Sequence, residues 1–91
     1  MAYQAIVLPT AEADVESLHP KIRKSVVRKI AWLAQNAEVI IHHPLHGMPD
    51  ELEGLCRLHL GDYRILYWKY PPEKLIKVYR VQHRSEVYRD L

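Results

Sequence analysis

Arg57, His59 and Arg64 are the residues of this sequence best suited to chemistry, because two short apolar runs joined by Gly61-Asp62 bring them together. A two-residue loop that begins with glycine fits a type II′ hairpin turn. With that turn Leu60 pairs with Tyr63, His59 with Arg64, Leu58 with Ile65 and Arg57 with Leu66. Side chains alternate along a strand, so Leu58, Leu60, Tyr63 and Ile65 share an apolar face and Arg57, His59 and Arg64 share the opposite one. A connection at Pro71-Pro72 then sets Ile65 against Val78 and Arg64 against Tyr79. That register adds Ile76 and Val78 to the apolar face and Tyr79, Val81 and His83 to the polar one. Cleavage of RNA by its own 2′-hydroxyl uses this mixture of residues. The attacking hydroxyl loses a proton, the phosphorane gains negative charge, and the leaving 5′-oxygen takes a proton. Histidine and tyrosine can move those protons. Arginines set around the phosphate stabilise its charge without a metal, and an aromatic ring such as Tyr79 can hold a splayed base.

A plainer reading of the same arginines is open: exposed cations paired with Glu53, Asp62 or Glu86, an inexpensive surface arrangement. His42-His43-x-x-His46 invites a metal, yet adjacent histidines in a proline-bearing loop do not give the fixed geometry of a zinc site, and no metal or other cofactor is expected. Trp32 and Trp68 read as packing residues. Cys56 alternates with Leu58 onto the apolar face and reads as a small buried residue.

The elements that must position these groups follow from the remaining pattern. Tyr3 to Leu8 reads as a first strand, stopped by Pro9-Thr10, with Thr10 as N-cap of a short helix to about Leu18. Pro20 suits the first turn of a second helix over about Lys21 to Gln35. There Ile22, Val26, Ile30 and Leu33, widened by Val27 and Ala34, form an apolar stripe. Lys21, Arg23, Lys24, Arg28 and Lys29 cover much of the rest, either as a solvated face or as a surface that follows a nucleic-acid backbone. Val39-Ile40-Ile41 either extends the helix or forms a separate turn, and His42 to Glu53 reads mostly as loop. Strands follow over Leu55 to Leu60, Tyr63 to Tyr70 and Leu75 to Gln82, and the tail from His83 to Leu91 is short and polar. The fold class is α+β: an N-terminal strand, a two-helix hairpin, and a three-stranded antiparallel meander forming a sheet packed on the helices.

At 91 residues the chain reads as one domain over 1–91, with 48% apolar and 26% charged residues, which excludes an unfolded polymer and leaves no space for a separate cofactor module. No apolar run nears the roughly 18 residues that span a bilayer, no basic-then-apolar leader precedes the first strand, and one cysteine cannot form an internal disulfide. A cytoplasmic protein without a membrane partner is expected. A net charge of +2 with six histidines leans mildly towards polyanions.

Three stretches also carry a family resemblance: Leu45-x-Gly47-Met48-Pro49-Asp50, then Arg57-Leu58-x-Leu60-Gly61-Asp62-Tyr63-Arg64-Ile65-Leu66-Tyr67, then Val81-x-His83-Arg84-Ser85-Glu86-Val87-Tyr88-Arg89. In order and spacing they resemble the RelE branch of the RelE/ParE toxin superfamily over nearly the whole chain. The resemblance implies a type II toxin held by a cognate antitoxin. It also implies a metal-independent, ribosome-dependent endoribonuclease that cuts mRNA in the A site of the 70S ribosome, against the 16S rRNA. It further implies Arg64 as the phosphate-stabilising arginine, Arg57 as a basic residue of the preceding strand, and Tyr88 as the tyrosine that orients substrate or nucleophile. His83 falls at an acid–base position, followed by the basic Arg84, and His59, Lys24, Arg28 and Tyr79 are the expected substrate-binding residues. The sequence departs from the family pattern at His59, where relatives usually carry arginine or lysine, at Leu55, a lysine in the best-known member, and at Gln82, where some RelE toxins carry arginine. These departures favour a histidine-based catalyst, with His83 as the leading proton-transfer group. The same fold also serves as a DNA gyrase poison in ParE-type relatives, and as an inactive homologue that only binds its antitoxin.

Overall fold

The computed structural model describes residues 2–87. Its elements run β1 (Gln4–Val7), α1 (Pro9–Glu16), α2 (Pro20–Asn36), β2 (His43–Pro44), a 3-10 turn at Asp50–Leu52, β3 (Cys56–Leu60), β4 (Tyr63–Tyr70) and β5 (Leu75–His83). The α+β class and the two-helix hairpin are as expected. The sheet is wider than the meander: five strands in the order β1-β5-β4-β3-β2, with β1 parallel to β5 and the rest antiparallel. Neither β1's partner nor the two-residue β2 follows from local pattern, because both pairings are with distant segments.

Helix α2 forms where the stripe predicts it. Val26, Ile30, Leu33 and Ala34 are buried, whereas Val27 is 55% exposed and does not widen the stripe. His19 caps it, its Nδ1 accepting from the Lys21 N–H, and Pro20 occupies the first turn, where its missing N–H costs nothing. Helix α1 starts two residues earlier than expected. Leu8 is the N-cap and Pro9 takes the first turn, so the Thr10 hydroxyl is released from capping and donates to the Tyr79 carbonyl instead. After α2 the chain turns, and Val39 and Ile41 stand 80% and 81% exposed.

The hairpin register is the one that the Gly61-Asp62 turn dictates: Leu60 with Tyr63, His59 with Arg64, Leu58 with Ile65, Arg57 with Leu66. Gly61 lies at φ +57 and Asp62 has no positive φ, as a type II′ turn requires. The β4–β5 register is different from expectation. The connection is four residues, so Tyr70 meets Leu75, and a bulge at Leu66/Tyr67 adds one more residue on β5. The longer turn shifts the pairing by two and leaves the faces alone. The bulge shifts it by one and exchanges them beyond that point. Ile65 therefore meets Val81, Arg64 meets Gln82 and Tyr63 meets His83.

Both sheet faces carry apolar clusters. On one, α1 and α2 bury Val26, Ile30 and Leu33 against Cys56, Ile65, Tyr67, Ile76, Val78 and Val81. On the other, the segment before β3 folds back so that Leu45, Leu55, Leu66 and Val87 pack with Met48, Trp68 and Tyr79. Past Val78, where β1 ends, α1 takes over the edge of β5: Leu8 N–H donates to Val78 O, Thr10 to Tyr79 O, and the Val81 N–H donates to the Asp14 carboxylate. The open strand edge is thus satisfied by a helix.

Candidate active site

The second apolar cluster covers only part of the helix-free face, and what it leaves open is polar. There β2, β3, β4 and β5 present His43 opposite Arg57, His59 opposite Arg64, and Gln82 beyond Arg64. Arg57 and His59 are two apart on β3 and so point the same way. His43, Arg57 and His59, with Leu58, line a cavity of about 300 Å³. His59 is exposed. Desolvation first, then the Arg64 and Arg57 cations, then His43, hold its proton affinity below the usual imidazole range, so the ring is biased to its neutral, proton-accepting form.

Arg64 is set by the turn that created the register. Its Nη1 donates to Gly61 O at 2.9 Å and Tyr63 O at 2.8 Å, which fixes the guanidinium at the hairpin end. Asp62 is not its ion partner. That carboxylate lies 3.7 Å from Arg84 Nε, and the Arg84 N–H donates to the Asp62 carbonyl at 2.7 Å. Arg64 and Arg84 therefore meet the same turn from two strands. Gln82 is 5% exposed, and its Oε1 has no hydrogen-bond partner among the described residues.

The bulge corrects the expected placement of two residues. Val81 belongs to the helix-side core at 3% exposure, and His83 falls in register with Tyr63, ring edge to ring face at 5.5 Å. Gln82 takes the place across from Arg64 that was expected of Tyr79. His83 Nδ1 lies 2.9 Å from the Ser85 hydroxyl and 3.2 Å from the Ser85 N–H, which donates to it, a local turn of the kind short polar side chains make. Tyr88 lies outside the described residues. Tyr79 keeps the expected face but is half-buried against Trp68, 5.2 Å between ring centres. Lys24 and Arg28 are exposed on α2, which covers the other face, so the structure does not join them to the arginines of the sheet. Arg28 instead lines a cavity of about 400 Å³ with Ser25, Lys29, Trp32 and Leu60, and Lys29 Nζ sits 3.9 Å over the Trp32 ring.

The three loop histidines diverge. His42 turns to the helix side. Its Nε2 is 2.7 Å from the Ala37 carbonyl, which can only accept, so Nδ1 of the neutral ring accepts from the buried Tyr67 hydroxyl. Burial pushes the Tyr67 hydroxyl's pKa up, consistent with a permanent donor. His43 faces the arginines. In the sequence it stands out only within His42-His43-x-x-His46, because a two-residue strand containing proline leaves no alternation to detect. Leu55, at a position that is lysine in the best-known member, is wholly buried in the second apolar cluster, so this chain uses the position for packing.

Residues 5–88 match the family model described as the ParE toxin of type II toxin-antitoxin systems. The chain is similar to the toxin RelG of Mycobacterium tuberculosis, 29% identical over 89 residues, 98% of this chain and 99% of that one. It superposes on the RelBE2 toxin-antitoxin complex from the same organism with a TM-score of 0.77 at 28% identity, covering 92% of this chain and 93% of the other. The isolated RelE toxin of E. coli shares the fold, with a TM-score of 0.71 at 22% identity over 98% and 94% of the two chains.

Proposed function

Because this chain belongs to the ParE toxin family of type II toxin-antitoxin systems, within the RelE/ParE superfamily, we propose that it is a toxin that arrests translation by cutting mRNA on the ribosome. The observation that carries this reading is the convergence of Arg57, His59 and Arg64 on one open patch of sheet, flanked by Arg84 at the hairpin end. Two preset guanidiniums stabilise the charge that develops on a phosphorane, and neutral imidazole beside them accepts a proton. In the proposed reaction Arg64 and Arg57 hold the scissile phosphate, and Arg84 adds charge at the turn. Family position implies His83 for proton transfer and Tyr88 for orientation. Because His83 stands in register with Tyr63 on the helix-side face, proton acceptance is assigned instead to His59 beside the arginines, and Tyr79 contacts the substrate. The cations of α2, Lys24 and Arg28 among them, lie on the far side of the sheet and suit rRNA backbone better than the cleaved strand. Toxins of this family are held by a partner, and the RelBE2 structure is of such a complex, so a cognate antitoxin is the proposed resting partner.

Mapping transcript 5′ ends after induction, and repeating the cleavage with purified protein with and without ribosomes, tests this. Arg64→Ala and Tyr88→Ala are expected to end growth arrest and cleavage while the protein stays folded. If both variants still cut mRNA, the site is elsewhere. A second reading has its own support, since the matching family model is that of ParE: a poison that binds DNA gyrase. Gyrase-dependent DNA damage on induction, with transcripts intact, would establish it instead.

A further inference from the structure

We propose that His43 and His59 form the acid–base pair of the cleavage site, standing on either side of Arg57. This deepens the endoribonuclease reading and rests on it. The two histidines come from different strands yet line one cavity with Arg57. His43 is directly across from Arg57, and His59 is two residues along β3 from it, so the histidines are diagonal neighbours on one face. Diagonal positions stand roughly 7–8 Å apart between strands. That is too far for the two backbone positions to force their rings into mutual contact, and close enough for both rings to reach one phosphodiester. An in-line displacement at phosphorus needs that separation, because the attacking 2′-oxygen and the leaving 5′-oxygen lie on opposite sides of the phosphorus atom. Arg57 completes the corner of that diagonal, across from His43 and beside His59, within reach of the non-bridging oxygens.

The step balances with two imidazoles and no other reactant. Neutral His59 takes the 2′-hydroxyl proton as the 2′-oxygen bonds to phosphorus. The bond from phosphorus to the 5′-oxygen breaks, and protonated His43 gives its proton to that oxygen. The products are a 2′,3′-cyclic phosphate and a free 5′-hydroxyl, with His59 now protonated and His43 neutral until water exchanges the protons. His59 is assigned the base because Arg64 on β4, Arg57 on β3 and His43 on β2 all face it and disfavour its cation. His43 faces Arg57 and His59. Both histidines are exposed, so replacing them leaves the core untouched.

The test uses the full chain and ribosomes programmed with a defined mRNA, measured under single turnover from pH 5 to 9. The variants are His59→Gln, His43→Gln, and His46→Gln as a control from the same loop. Wild type is expected to give a bell-shaped profile and cyclic-phosphate ends. His59→Gln is expected to lose the acid limb and His43→Gln the alkaline limb, each about 10²- to 10⁴-fold slower, the range for a lost general acid or base. His46→Gln should follow wild type. If wild type cuts and both His43→Gln and His59→Gln stay within about 3-fold with both limbs intact, the pair is refuted and the endoribonuclease reading stands. Loss of only one limb across the two variants also refutes the pair. If wild type itself cuts no RNA under any condition, the underlying reading fails.

Discussion

Replacing Asp14 with alanine is expected to destabilise the protein by about 2–4 kcal/mol, an effect disproportionate to one residue on an eight-residue helix. The Asp14 carboxylate accepts three hydrogen bonds from β5: Arg80 Nε at 2.7 Å, Arg80 Nη2 at 3.1 Å and the Val81 N–H at 2.9 Å. Each hydrogen bond to a charged group contributes about 1.5–3 kcal/mol, and a buried N–H left without an acceptor costs about 1–3 kcal/mol. Three bonds on one carboxylate are not additive, and the ion pair keeps 25% and 18% of its side-chain surface in solvent, so the sum is discounted to the range given. For a domain of this size each kcal/mol moves the midpoint roughly 4–8 °C, so thermal unfolding should fall by roughly 8–32 °C. Urea unfolding followed by tryptophan fluorescence measures it directly. Asp14→Asn retains an oxygen for the Val81 N–H and should lose about half as much. A loss below about 0.5 kcal/mol for Asp14→Ala, or equal losses for the two variants, would show that α1 does not hold the far half of β5 by this carboxylate.

The other expectations concern the site and its supports. With His59 as base, cleavage rises with pH as the ring loses its proton, and that limb lies below the ordinary imidazole range because desolvation first, then the Arg64 and Arg57 cations, disfavour protonation. Arg64→Gln removes one of those cations, so in the residual single-turnover cleavage the limb should move up towards the ordinary imidazole range and the fractional loss should be larger at pH 6 than at pH 8; an unmoved limb would exclude His59 as the group titrating. Tyr67→Phe removes the donor to His42 Nδ1 within a packed site, and should cost about 1–2 kcal/mol in chemical denaturation. Leu55→Lys, which introduces the best-known member's residue at that position, buries an ammonium among Leu45, Leu66 and Val87 and should cost several kcal/mol or prevent folding, with soluble yield as the first readout.

What the sequence discloses here is what local chemistry decides. Gly61-Asp62 determined the β3–β4 register residue by residue, since a two-residue loop leaves one pairing, and with it the grouping of Arg57, His59 and Arg64. Pro20 and the spacing of Val26, Ile30 and Leu33 likewise marked α2 within a residue. Features that depend on distant partners were hidden. The parallel union of β1 with β5 and the short β2 are made by residues about 70 and 14 positions apart, and no local periodicity encodes them. The bulge on β5 follows no glycine or proline at its position, so His83 and Gln82 exchanged faces without warning. His43 was lost for a related reason: its role is conferred by Arg57 across the ladder and by nothing beside it in the chain.

The bulge at Leu66/Tyr67 also separates two kinds of likeness between relatives. A homologue could carry the same letters from Val81 to Val87, align without a gap, and yet present the other set of side chains on this face if its fifth strand ran through without the bulge. Removing Tyr79 itself would leave Val81, Gln82 and His83 on their present faces, because each keeps its partner on β4. Closing the bulge at the same length would instead turn Val81 and His83 to the helix-free face and Gln82 under the helices. The bulge, more than residue identity, thus decides which face of the sheet each member of the motif joins, and a comparison of letters alone does not register it.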